Sequence, residues 1–149
     1  MDRIDRQLVA ALTHDGRATY QELGRLVRLS SNTVADRIRR LRKDGVIRGY
    51  RAELDYGVLG RDMQIISEIR LQDTVDTAEF ERGLDDVPQV ISASRLTGEY
   101  NYQLRIVCAN ALELEGIIDR LKKHHGVRQA HSRLVLHEVP LARDRILRA

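Results

Sequence analysis

"RLSSNTVADRIRRLRKDG" (residues 28–45) sets Val34, Ile38 and Leu41 at the spacing of a helical stripe facing a core, and crowds Arg37, Arg39, Arg40, Arg42 and Lys43 into seven positions around it. At 100° per residue the positions opposite that stripe are Asn32, Asp36, Arg39 and Lys43, with Thr33 and Arg40 beside them. A helix anchored on one face and cationic on the others suits the major groove of double-stranded DNA, between two rows of phosphates. Residues near the start of such a helix sit deepest, so Ser31, Asn32, Thr33 and Asp36 are the candidates for reading base edges. Arg37, Arg39, Arg40, Arg42 and Lys43 are the candidates for phosphates, which bind a charge whatever the base sequence. The competing reading is a solvated cationic helix whose charges are answered by Asp36 and Asp44; two acids are too few for five cations.

The flanking sequence fits a helix-turn-helix. Ile4, Leu8 and Leu12 predict a first helix that stops near Asp15-Gly16. Thr19 and Glu22 form a capping-box pattern at the start of a second helix, which carries Leu23, Leu26 and Val27 on one face. Ser30 or Ser31 caps the third, and Gly45 stops it. Tyr20 and the backbone at the start of the second helix are further candidates for a phosphate. Beyond Gly45, Val46 to Ala52 reads as extended, and Asp55 to Gly60 has the turn residues of a hinge.

The rest of the chain alternates differently. Met63, Ile65, Ile69 and Leu71 predict a half-buried strand, and Asp76-x-x-Glu79 opens a helix carrying Phe80, Leu84 and Val87. Gln89 to Thr97 reads as a strand with poor alternation, and the Gly98–Asn101 turn leads to a clear one with Tyr102, Leu104, Ile106 and Cys108 on one face. Asn110-x-x-Glu113 caps a helix with the stripe Leu114, Ile117, Ile118 and Leu121, ended by Gly126, and Val127 to Val139 returns as a strand. The order strand, helix, strand, strand, helix, strand is the ferredoxin-like βαββαβ pattern. Two helices on one side leave the other sheet face open, with Ile66, Val107, Val135 and Val139 pointing there, so a second subunit is expected to cover it. The fold class is therefore α+β: a helix-turn-helix DNA-binding domain over 1–48, a hinge strand over 49–61, a ferredoxin-like effector-binding and oligomerisation domain over 62–139, and a tail over 140–149.

Charge and composition narrow the function. Residues 1–60 hold 12 Lys/Arg against 8 Asp/Glu, while residues 61–149 hold 13 against 14, so the cationic excess lies in the helical half. No Trp and a single Phe argue against a stacking platform for single strands. No apolar run is long enough to span a membrane and the start MDRIDRQLVAAL lacks the order of a signal peptide, so a cytoplasmic, nucleoid-associated protein is expected. The lone Cys108 reads as a buried core thiol. His124 and His125 diverge by about 100° on a helix, and His131 and His137 on one strand face lie roughly 20 Å apart, so no metal site is expected. Without a phosphate-cradling glycine loop, a nucleophile beside a base or a carboxylate pair, no catalytic residue and no cofactor is assigned.

Asp5, Asp15-Gly16-Arg17, "ELGRLVRLS", "VADRIRRLRKDGVIRGYRAEL", Leu59-Gly60 and "TGEYNYQLRIV" together resemble the Lrp/AsnC family of transcription regulators, also called feast/famine regulatory proteins, over nearly the full chain. The resemblance implies a winged helix-turn-helix domain joined by a hinge strand to a ligand-sensing domain that dimerises through its sheets. It also implies octamers and an amino acid or related effector bound between subunits. The loop of the family's glycine-and-aspartate signature corresponds to Gly98, Glu99, Tyr100, Asn101 and Tyr102, and the candidate effector-binding residues are Thr97, Gly98, Glu99, Tyr100 and Asn101; the other reading of this stretch is a plain hairpin turn. Two positions depart from the family pattern. Arg28 replaces a glycine where φ > 0 is expected, at about 1 kcal/mol for a side chain. Asn101 replaces an aspartate, so that an amide hydrogen-bonds an effector's ammonium where a carboxylate would balance its charge, unless Glu99 substitutes. A dimer would present two groove-reading helices to half-sites roughly 34 Å apart. The alternative function is an effector-independent architectural protein of the nucleoid type, distinguished by its lack of sequence preference.

Overall fold

The computed structural model describes residues 1–148 as two compact units, one made of Met1–Glu53 with the chain from Val139 onward, the other of Leu54–Glu138. In the first unit, α1 (Arg3–His14), α2 (Tyr20–Val27) and α3 (Ser31–Lys43) pack around Leu8, Leu23, Val27, Val34 and Ile38. Each helix start is satisfied by a side chain. Asp2 and Asp5 exchange bonds across the start of α1, Thr19 and Glu22 do so across α2, and Ser30 accepts from the Thr33 N–H at the start of α3. Of the two serines considered for that cap, Ser30 holds it and Ser31 begins the helix.

The α2–α3 turn is short because two backbone features permit it. Arg28 adopts φ 57° and ψ 45°, the left-handed conformation expected where the family has glycine. Gly24 faces the Leu29 carbonyl so closely that a Cβ would sit 2.6 Å from its oxygen, while the Leu29 N–H donates back to the Gly24 oxygen at 2.9 Å. After α3, Gly45 turns with φ 75°, and the N–H groups of Val46 and Ile47 both donate to the Leu41 oxygen. The expected hinge strand is absent within the chain: residues 48–55 carry no ladder, since a strand needs a second backbone beside it. A turn over Tyr56–Gly60 follows, closed by the Gly60 N–H on Gly57 and the Arg61 N–H on Tyr56.

The second unit is a four-stranded antiparallel sheet in the order β2-β3-β1-β4, built from β1 (Met63–Leu71), β2 (Val90–Arg95), β3 (Tyr102–Cys108) and β4 (Val127–Leu134). Two helices, α4 (Thr77–Gly83) and α5 (Ala111–His124), complete the ferredoxin-like order. Ile65, Ile69, Leu104, Ile106, Phe80 and Leu121 fill the core between sheet and helices. The Tyr102 hydroxyl donates to Glu81 Oε1 at 2.6 Å, which lets this ring enter the core beside Phe80. Cys108 is fully buried, and burial raises its thiol pKa.

Three expected elements end early. The α4 helix stops at Gly83 and continues as a 3-10 turn over Leu84–Asp86, because Pro88 holds Val87 out of helical geometry. The bulged β2 is shorter than Gln89–Thr97. The last strand, expected to reach Val139, keeps its ladder to β1 only as far as Leu134, with one more bond from the Val135 N–H to the Gln64 oxygen. Val135, His137 and Val139 therefore lie beyond β4, and neither His137 nor Val139 shares the strand face of His131, Ile66 and Val107. No helix among the described residues is long and apolar enough to cross a membrane.

Candidate nucleic-acid interface and effector loop

The stripe of Val34, Ile38 and Leu41 is buried, and that rotation leaves Asn32, Asp36, Arg39 and Lys43 exposed on the far face of α3. Asp36 and Arg39 pair at 2.7 Å across one turn, with both side chains more than two-thirds exposed. Ser31 and Thr33 are exposed at the first turn, where the Thr33 hydroxyl lies 2.8 Å from Ser30 Oγ. A depression of about 530 Å³ opens beside the C-terminal half of α3, edged by Tyr20, Arg39, Arg42, Lys43 and Arg48. Four cations at one concavity make a local field that attracts a phosphate. Helical spacing alone misses Arg48, which lies outside α3; its one signal is a basic residue just after the turn that ends the helix.

Arg37 and Arg40 sit differently from the other cations. Arg37 Nη1 donates to Asp2 Oδ2 at 2.7 Å and to Asp5 Oδ1 at 2.9 Å, and Arg40 Nη2 reaches both Asp5 oxygens at 3.0 and 3.3 Å. Asp5 is 2% exposed, and Arg37 keeps only 23% of its side chain in solvent. Burial alone would raise the Asp5 pKa; the Arg37 guanidinium and the Asp2 N–H outweigh it and hold the carboxyl below its ordinary value. These two arginines, grouped with the phosphate ligands on helical spacing, thus have carboxylate partners within the chain. Likewise the Thr19 N–H, at the start of α2 where a phosphate was expected, already donates to Glu22 Oε2 at 2.7 Å.

In the second unit the loop Thr97–Asn101 joins β2 to β3. Gly98 takes φ 103°, and the Leu96 N–H closes the loop on the Asn101 oxygen at 2.8 Å. Asn101 is a backbone pin: its N–H donates to the Ile69 oxygen and its Oδ1 accepts from the Leu71 N–H, each at 2.8 Å. The pin lies where the β1–β4 register shifts between Arg70 and Leu71, so the side chain satisfies a donor at the irregularity. Glu99 is exposed and lies 3.7 Å from Arg70, and the Tyr100 ring stands 6.3 Å from that of His131. Thr97 and Gly98 are exposed. The sheet face turned away from the helices carries Ile66 and Val107 among charged and polar side chains: Glu68 pairs with Arg133 at 3.0 Å and lies 3.7 Å from the His131 imidazole, and Arg105 pairs with Glu138. Among the described residues no group of three or more His, Cys, Asp or Glu side chains is disposed to hold a metal ion.

Comparison with known proteins agrees with both halves. The family model described as AsnC-type helix-turn-helix domain matches residues 1–42, and that described as Lrp/AsnC ligand binding domain matches residues 64–143. The chain is 37% identical over 109 residues to the Bkd operon transcriptional regulator of Pseudomonas aeruginosa, covering 72% of this chain and 71% of that one. It is 34% identical over 128 residues to the HTH-type transcriptional regulator LrpA of Mycobacterium tuberculosis, with 86% and 85% covered. Among solved structures it is similar to the complex of transcriptional regulator NMB0573 with L-Met from Neisseria meningitidis, with a TM-score of 0.88 at 28% identity, 97% of this chain and 95% of that chain covered. The feast or famine regulatory protein Rv3291c from M. tuberculosis, complexed with L-methionine, gives a TM-score of 0.85 at 32% identity, with 95% and 96% covered.

Proposed function

The chain belongs to the Lrp/AsnC family of transcription regulators, and from that membership we propose that it binds specific sites in double-stranded DNA through α3 and responds to an amino acid or a related small molecule. The observation that carries the DNA half is the exposed face of α3, where Asn32, Asp36, Arg39 and Lys43 stand opposite a buried stripe. Ser31, Asn32, Thr33 and Asp36 meet base edges; Arg39, Arg42 and Lys43, with Tyr20 and Arg48 at the same depression, meet phosphates. Binding of a labelled duplex by fluorescence anisotropy across a salt series tests this. A linear fall of log affinity with log salt is expected, and no binding at low salt would end the reading.

For the second unit, the support is its match to the ligand-binding family model and the presence of L-methionine in two similar solved structures. The effector site is the loop Thr97–Asn101, where Glu99 carries the carboxylate that Asn101 lacks. The sheet face turned away from the helices, with half-buried Ile66 and buried Val107 bordered by ion pairs, pairs with the same face of a second chain, and dimers assemble further, towards octamers. The protein works in the cytoplasm on the nucleoid. Calorimetric titration with the twenty amino acids, L-methionine first, tests the effector; heat from none of them would refute it. Light scattering tests the assembly, and a monomer at micromolar concentration would refute the pairing.

A further inference from the structure

We propose that Asp5 is the positioning residue of the DNA-binding face, holding Arg37 and Arg40 away from the phosphates and using them to fix the rotation of α3. This rests on the reading of α3 as the DNA-contacting helix. The carboxylate is 2% exposed and accepts from both arginines and from the Asp2 N–H, so among the described residues every hydrogen bond to its two oxygens comes from α3 or from its own helix start. Asp2 adds a second acceptor for Arg37 at 2.7 Å. A buried charge with such partners is held more firmly than an exposed pair, and its geometry is directional.

The consequence is a division of labour among cations adjacent in sequence. Apolar contacts at Val34, Ile38 and Leu41 are non-directional, so by themselves they define the roll angle of α3 less sharply than hydrogen bonds and leave it some freedom. Two guanidinium groups drawn to one point on α1 remove that freedom, and the roll angle decides whether Asn32 and Asp36 reach the base edges they read. The phosphates are left to Arg39, Arg42, Lys43 and Arg48. Asp5 thereby governs selectivity between DNA sequences more than attraction to DNA in general.

The test compares full-length wild type with D5N, R37Q and K43Q on two probes: a duplex selected by the wild-type protein from a random library, and random duplex of equal length. Circular dichroism first establishes that each variant is folded at the temperature used. K43Q is expected to lower the salt slope by about one, the share of a single phosphate. R37Q is expected to keep the wild-type slope, and D5N to bind random duplex at least as well as wild type. Both are expected to lose at least about tenfold in the ratio of selected to random affinity. Any smaller change in that ratio, or an R37Q slope reduced like that of K43Q, overturns the proposal; should D5N not fold, R37Q decides it alone. Wild-type protein that binds no duplex at low salt removes the DNA-binding reading, and this proposal with it. Wild-type binding with D5N and R37Q ratios unchanged removes only the proposal.

Discussion

Gly24→Ala puts one methyl group against the backbone of the turn between α2 and α3. The added Cβ would lie 2.6 Å from the Leu29 carbonyl oxygen, nearly an ångström inside ordinary contact, and the obstacle cannot rotate away because it is main chain. That same segment is tied down by the Leu29 N–H donating to the Gly24 oxygen. Alanine gains about 1 kcal/mol in helix propensity over glycine, while overpacking against a fixed neighbour costs about 1–3 kcal/mol. With a backbone obstacle the upper half of that range applies, leaving a net loss of about 1–2 kcal/mol. For a unit of this size each kcal/mol moves the midpoint by roughly 4–8 °C. Thermal unfolding followed at 222 nm should therefore fall by roughly 5–15 °C, with DNA affinity falling alongside because α3 must shift on α2. Gly83→Ala is the control: its Cβ would meet the His125 imidazole at 2.5 Å, a side chain able to swing aside, so its stability should stay within about 1 kcal/mol of wild type. A Gly24→Ala protein as stable as wild type would refute the reasoning, since the turn would then have room that the geometry denies it.

Arg28→Gly removes a side chain from the left-handed region and should gain about 0.5 kcal/mol in urea unfolding, after the extra freedom of glycine in the unfolded chain is subtracted; a loss would mean that the arginine makes a compensating contact. The carboxyls of Asp5 and Asp144 are both held below the ordinary value of 3.8, the latter by the Arg148 guanidinium. A depressed native pKa adds stability above the unfolded value and loses it as the pH falls through the native one, so the urea midpoint should hold steady down to about pH 4 and drop below it. The gap between wild type and Asp5→Asn should close over that same interval, and a gap independent of pH would contradict it. Cys108, buried and with its pKa raised, should resist a thiol reagent at pH 8 in the native protein and react once urea is added; rapid native labelling would mean that the β3 end opens.

Local signals carried most of the architecture. Capping residues, helical stripes and strand alternation lie within a few residues of one another, and the helix starts at Thr19, Asp76 and Asn110 fall where their side chains demand. The positive φ at Arg28 is expected only through the resemblance to a family that has glycine at that position. Features set by distant partners were not legible. Nothing in the spacing of α3 tells Arg37 and Arg40 from Arg39 and Arg42; the difference is Asp5, thirty-two residues away along the chain from Arg37. The end of β4 at Leu134 and the missing ladder over residues 48–55 cannot be read from the alternation of either stretch. The Asn101 side chain shows the same limit: a loop amide looks free to meet a ligand until the Leu71 N–H is found on its oxygen.

The chain from Val139 onward returns to the helical unit, where Arg143 pairs with Glu53 and Asp144 is buried between Arg148 and His14, 3.4 Å from the imidazole. The backbone therefore passes from one unit to the other twice, at residues 53–54 and again at 138–139. Proteolysis reads this directly. A protease that nicks the exposed stretch around Leu54 severs one connection and leaves the second, so the two pieces separate on a denaturing gel yet elute together from a sizing column. Nicked protein stays one particle until a second cut falls near Val139.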